Sequence, residues 1–417
     1  MVGMCFINKT MKGKYFVCLG AVLLALLFSC SGREVQKKLK PIHTMIKSRN
    51  GKGASSAVVE LLKDSTLVQN PKVYNLGKEA KIAENNVENE KIYLKQPYDT
   101  VSFFNSTFGI FDYALKCDSI EEKLWKEEGR RFKFRSGNTS DLQRYYPNLC
   151  AAGRFFYTKR QYAEVLRFMR LVLDVPHMPV WGNDTSVLES HRYVTNAYLY
   201  LRSAFFNKDY ANVSRYKDIV ITDTAYRCKT IEMLTLSSGA LKDSVSYLDY
   251  LRLGLREYPL NPFFFTRLSD YYTSKKDYRG ALLLADSMLT VDKDNILFLV
   301  SKSVALLNLQ RNVESIEISK KVLQLDSTVV PVNYYIGAAY CNLANELVLP
   351  TNINSAAYKV VAHKQKEYYR QARPYIERYR TAVPDAKDRW APLLYRIYLA
   401  LNLGKEFEEI DTLLQNM

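Results

Sequence analysis

Two adjacent stretches of 34 residues carry one pattern, and that repetition constrains this chain more than any other feature. Pro262–Asn295 places Phe265, Leu268, Ser269 and Tyr272 ahead of the break Lys276-Asp277-Tyr278, then Ala281 and the closing Leu289, Val291 and Asp292. Ile296–Val329 places Leu299, Ser303 and Leu306 ahead of Arg311-Asn312, then Ser315, Val322, Leu323, Leu325 and Asp326. Apolar residues three and four apart mark one face of a helix, so each stretch predicts two helices joined by a tight turn. A unit this small cannot bury its apolar face alone and must stack on its neighbours. The expected fold class is therefore all-α, built of stacked helix pairs. The 31 tyrosines suit that design, as large half-buried side chains between helices.

Weaker copies flank this pair. Tyr146–Val175 carries Leu149, Gly153, Phe156, Tyr162 and Leu173, and Val194–Asp223 carries Ala197, Leu201, Asp209-Tyr210 and Val220. A divergent unit spans Cys228–Pro259. Val330 opens another with Ile336, Gly337 and Tyr340; an insertion around Leu349-Pro350-Thr351-Asn352 interrupts it before Tyr369, Ala372, Ile376, Tyr379 and Pro384 resume the pattern. Trp390, Leu394, Ile397, Leu401, Gly404 and Phe407 predict a last pair. Period and layout resemble the tetratricopeptide repeat. That resemblance implies an α-α superhelix over residues 146–417, with small residues at the eighth and twentieth positions of each unit where its two helices approach.

Ahead of the repeats, Asp99-Thr100 starts a helix with Val101, Phe104, Phe108, Phe111 and Leu115 on one face, and 119–135 continues as a charged helix until Ser136-Gly137-Asn138-Thr139 breaks it. Residues 96–145 are thus expected to be capping helices. Residues 30–95 are polar, with Gly51-Lys52-Gly53-Ala54-Ser55-Ser56 and Asn85-Asn86, and predict a flexible basic tether with one short helix near 58–67. Residues 1–29 place Lys12 and Lys14 before an apolar run from Tyr15 to Phe28, the layout of a secretory signal too short to stay as a membrane span. Leu27-Phe28-Ser29-Cys30 resembles the lipobox of bacterial lipoproteins, although Phe28 is bulkier than the common pattern. The resemblance implies that Cys30 is acylated after cleavage and holds the protein on a membrane of the bacterial envelope, at the periplasmic face or the outer-membrane surface. The formal charge is +16, and Arg33, Lys37, Lys38, Lys40, Lys47, Arg49 and Lys52 gather just past Cys30, where anionic lipid is a closer partner than nucleic acid.

Nothing in the chain points to catalysis. His43, His177, His191 and His363 form no metal spacing; no phosphate-binding glycine loop or nucleophile elbow occurs; Cys117, Cys150, Cys228 and Cys341 lie far apart, where helices would bury them. Neither metal nor cofactor is expected. What the tetratricopeptide resemblance implies is binding, in a groove lined from the first helix of each unit. The positions that match are Arg154, Tyr157, Tyr198, Arg202, Phe205 and Phe206 early on, and Phe263 and Tyr334 later. Arg154 and Arg202 share the ninth position, so their guanidinium groups are expected to line one wall, suited to carboxylates, acidic peptides or sugars. The later wall, with Leu297, Val300, Val304 and Leu307, is apolar, and the inserted residues 344–366 are expected to cover it. The reading is a non-catalytic scaffold for a protein or peptide, with a glycan-binding lipoprotein similar to the SusD-like proteins as the alternative. Trp181 is the single tryptophan placed to favour sugar.

Overall fold

The computed structural model describes residues 34–417, and among these there is no strand. Two compact units divide the chain, one ending at Met233 and the other starting at Leu234. Each is all-α, with successive helices packed as neighbours.

The first unit opens with α1 (residues 34–47), α2 (Gly51–Leu61) and α3 (Pro71–Tyr93), in the stretch expected to be a tether. This stretch is not a tether but a packed set of helices. Leu39 and Ile42 of α1, Ala54 and Val58 of α2, and Val73, Leu76 and Ala80 of α3 share one buried core. Gly51 is a close-approach residue and not a linker, since a Cβ there would lie 2.5 Å from the Glu84 backbone nitrogen. Asn50 and Asn70 cap α2 and α3 by accepting from the backbone of Gly53 and Lys72. Asn85, at 1% exposure, donates from Nδ2 to the Phe103 carbonyl and to Ser106 and Thr107 on α4 (Thr100–Glu128).

Helix α4 starts where expected, with the Asp99 carboxylate accepting from Ser102 N–H at 2.9 Å. It stops at Gly129, whose φ of +66° ends it, and α5 (Arg135–Thr158) runs straight through Ser136-Gly137-Asn138-Thr139. The break thus falls at 129–134, earlier than expected, because Asn138 turns inward at 0% exposure and bonds Lys78. Next come α6 (Tyr162–Asp174), α7 (His191–Phe206), two short helices, α8 (Tyr210–Val213) and α9 (Lys217–Val220), and α10 (Thr224–Ala240), which spans the boundary between units.

The second unit continues with α11 (Ser244–Glu257), α12 (Pro262–Ser274), α13 (Tyr278–Leu289), α14 (Ile296–Asn308), α15 (Asn312–Leu325), α16 (Pro331–Asn345), α17 (Ala356–Ala382), α18 (Lys387–Leu401) and α19 (Gly404–Gln415). The 34-residue period is written in its backbone. Lys242, Lys276 and Gln310 all take φ near +60°, and the next residue, Asp243, Asp277 or Arg311, donates its N–H to the carbonyl five back, Ser238, Tyr272 or Leu306. This left-handed closure satisfies carbonyls at the helix end and folds the chain back. The small residues meet as the repeat register requires. Ser303 and Ser315, the eighth and twentieth positions of one unit, lie 3.5 Å apart through their hydroxyls. Ala281 is fully buried beside Ala305 and Leu306.

Candidate functional site

On α5 and α7 the residues of the expected groove do come together, around Arg202. Its guanidinium lies 5.5 Å from the ring centre of Tyr157, 5.5 Å from Tyr198 and 5.7 Å from Phe206. Helical spacing sets this up. Tyr198, Arg202 and Phe206 are four apart on α7, one above another on a single face, while Tyr157 comes across from the last turn of α5. Tyr162, at the start of α6, closes the ring of side chains by meeting Tyr157 at 5.8 Å and Phe206 at 5.5 Å. Behind Tyr198 stacks Tyr226 of α10, with ring centres 4.2 Å apart, and His191 stacks on Tyr226 in turn.

Two properties give this cluster chemistry. Among the described residues no carboxylate bonds or pairs with Arg202, although most arginines here that face aromatic rings also hold an acid, as Arg167 holds Glu164 and Arg373 holds Glu377. Phe206 is 46% exposed, so the cage opens to solvent on that side. A guanidinium over aromatic faces keeps its forked N–H donors while losing part of its water, which favours a carboxylate flanked by apolar groups. Burial pushes the Tyr198 hydroxyl above the usual tyrosine range while Arg202 draws it back, so Tyr198 stays neutral and available as a donor.

The other expected residues fare differently. Arg154 is exposed three residues before Tyr157 on α5, and among the described residues no ring or acid contact holds it, so the cage is centred on Arg202. Phe205 packs behind Phe206 against Tyr210. In the second unit Phe263 lies beneath Arg267 at 3.8 Å, and Tyr334 packs against Tyr379 at 5.3 Å as part of the core. The insertion does not behave as a cover: Val348, Ile353 and Val360 are 86%, 63% and 68% exposed, and residues from Ala356 onward simply extend α17. Sequence reasoning misses Tyr226 because it precedes Cys228, where the divergent unit opens by pattern, and Tyr162 because its position reads as repeat packing.

Outside the cage, the expectation for Trp181 changes. Trp181 is 1% exposed and donates its indole N–H to the Asp184 carbonyl, so it offers no face to a sugar. His177 bonds the Tyr193 hydroxyl at 2.9 Å. Cys117 and Cys341 are buried, their thiols pushed up to about 12 by desolvation, and Cys228 is half-buried beside Glu232. No group of three metal-ligating side chains occurs among the described residues, and no helix among them is long and apolar enough to cross a membrane. Cys30 lies outside the described residues.

No family model matches the chain, and no curated protein does. Solved structures with a related helical course include MamA (AMB-1), at 17% identity over 46% of this chain and 92% of that one, with a TM-score of 0.32. The C-terminal part of a TPR repeat-containing protein from Cytophaga hutchinsonii is 11% identical over 62% and 98%, with a TM-score of 0.36. Yeast Tom70 is 10% identical over 89% and 91%, with a TM-score of 0.31. Overlap this loose is silent on function, and the chain's own residues must carry the functional reading.

Proposed function

We propose that this chain is a non-catalytic helical-repeat scaffold that holds an acidic peptide segment of a partner protein, and that a lipid on Cys30 keeps it on a bacterial envelope membrane. The observation that carries the binding reading is Arg202, a partly desolvated cation walled by Tyr157, Tyr198 and Phe206 and given no acid by its own chain among the described residues. Leaving such a group unpaired has a desolvation cost, and a ligand carboxylate that pairs with it recovers that cost. The rings around it select a carboxylate with apolar neighbours, as in an Asp or Glu flanked by aliphatic or aromatic residues. The lipid anchor rests on the lipobox-like ending Leu27-Phe28-Ser29-Cys30 and the basic-then-apolar leader before it.

The binding half is tested by fluorescence anisotropy with a labelled Glu-Phe-rich peptide against the purified chain. Binding is expected to weaken as salt rises and to vanish when the peptide glutamates become glutamines. Equal affinity for the acidic and amide peptides would refute it.

A further inference from the structure

Away from the Arg202 cage, the first unit gathers cations from parts of the sequence that composition alone does not connect. Two neighbouring cavities of about 430 and 380 Å³ share Lys72, Lys133 and Phe134 as a common wall. Lys40 and His43 of α1 line the first, and Arg130 and Arg131 of the α4–α5 turn line the second. All six cationic or titratable side chains are exposed. Two carboxylates line these cavities as well: Glu121, in the second, is 4% exposed and accepts the backbone N–H groups of Lys133 and Phe134, whereas Glu79, in the first, accepts from the neutral Asn75 amide and is outnumbered by Lys40, Lys72 and Lys133. Glu128 pairs with Arg130. Lys40, Lys72, Arg131 and Lys133 have no acidic partner among the described residues.

From this arrangement we infer that the face built by α1, the start of α3 and the α4–α5 turn docks on anionic lipid headgroups. The inference rests on the proposed anchor at Cys30. Helix α1 is already formed at residue 34, and four residues of chain reach at most about 14 Å. A lipid on Cys30 therefore keeps α1, and with it Lys40, close to the headgroup layer. Exposed lysines and arginines at that depth meet the negative surface potential of the membrane. The exposed phosphates of the headgroups suit shallow, open cavities walled by lysine and arginine. A basic face seated on those headgroups adds an electrostatic attachment to that of the lipid.

The test uses the full chain, recovered in detergent from expressing cells and transferred to vesicles of phosphatidylcholine alone or with one-third phosphatidylglycerol. A short pulse of an amine-acetylating reagent is read by peptide mass spectrometry. Acetylation of Lys40, Lys72 and Lys133 should slow at least threefold on the anionic vesicles and recover in half-molar salt. In the Lys72→Glu/Arg131→Glu variant, Lys40 and Lys133 should lose this protection. Equal rates on the two vesicle types would overturn the proposal, as would protection by an added oligonucleotide with none on vesicles. The same spectra weigh the Cys30 peptide. Protected lysines with unmodified Cys30 would uphold the patch and sink the anchor; acylated Cys30 with unprotected lysines would do the reverse.

Discussion

Lys242, Lys276 and Gln310 sit in the left-handed region, where a side chain costs roughly 1–2 kcal/mol through its Cβ. Glycine would remove that strain but costs about 0.5–1 kcal/mol of extra unfolded-chain entropy. Strain outweighs entropy here, so Lys276→Gly should raise the melting temperature slightly, and a drop in a thermal melt would refute this explanation of the turn. Gly337 argues in the opposite direction. A Cβ there would lie 2.4 Å from Ile376 Cδ1, across the contact between α16 and α17. Gly337→Leu should therefore cost about 1–3 kcal/mol or more, and Ala281→Leu a similar amount, whereas Lys276→Ala stays near neutral. Equal melting points for Gly337→Leu, Ala281→Leu and Lys276→Ala would contradict the repeat register.

At the level of elements, the regular pairs were legible and the N-terminal helices were not. The units at 262 and 296 are read correctly because Phe265 and Leu299, and again Tyr272 and Leu306, fall 34 residues apart and pack into the core. The same period extends to the divergent unit, whose turn at Lys242 falls 34 residues before that at Lys276, a sign hidden by its polar Thr235 and Ser238 at core positions. Residues 34–95 lack any repeat to reveal them. Their glycines and asparagines look like linker residues by composition, yet they serve as a close contact at Gly51, caps at Asn50 and Asn70, and a buried bridge at Asn85. The cage was legible in its members but not in its centre, because spacing places Arg154 and Arg202 on equivalent positions and cannot say which one meets rings. If α1 to α3 are packed helices, brief trypsin treatment of the native protein should spare Lys47, Lys52 and Lys78. Gly51→Val should make that region cleavable, since its added side chain must displace the backbone of α3. Rapid cleavage there in the unaltered chain would restore the tether.

For the molecule as a whole, where the protein is held and what it holds are separate questions. Cys30→Ala should move it from the membrane fraction to the soluble fraction in high salt, because the basic face alone is screened there. Unchanged retention would defeat the lipid anchor. Neither outcome bears on whether the aromatic cage is a binding site or a packing device, and the proposed function depends on that choice. The direct measurement is to compare Arg202→Ala with the unaltered chain for both thermal melting and affinity toward the acidic peptide. A charge-assisted bond from a partly desolvated guanidinium contributes roughly 1.5–3 kcal/mol. A binding cage requires affinity lowered at least tenfold with the melting temperature nearly unchanged. A lowered melting temperature with intact affinity would show that Arg202 serves the fold, and would contradict the binding role.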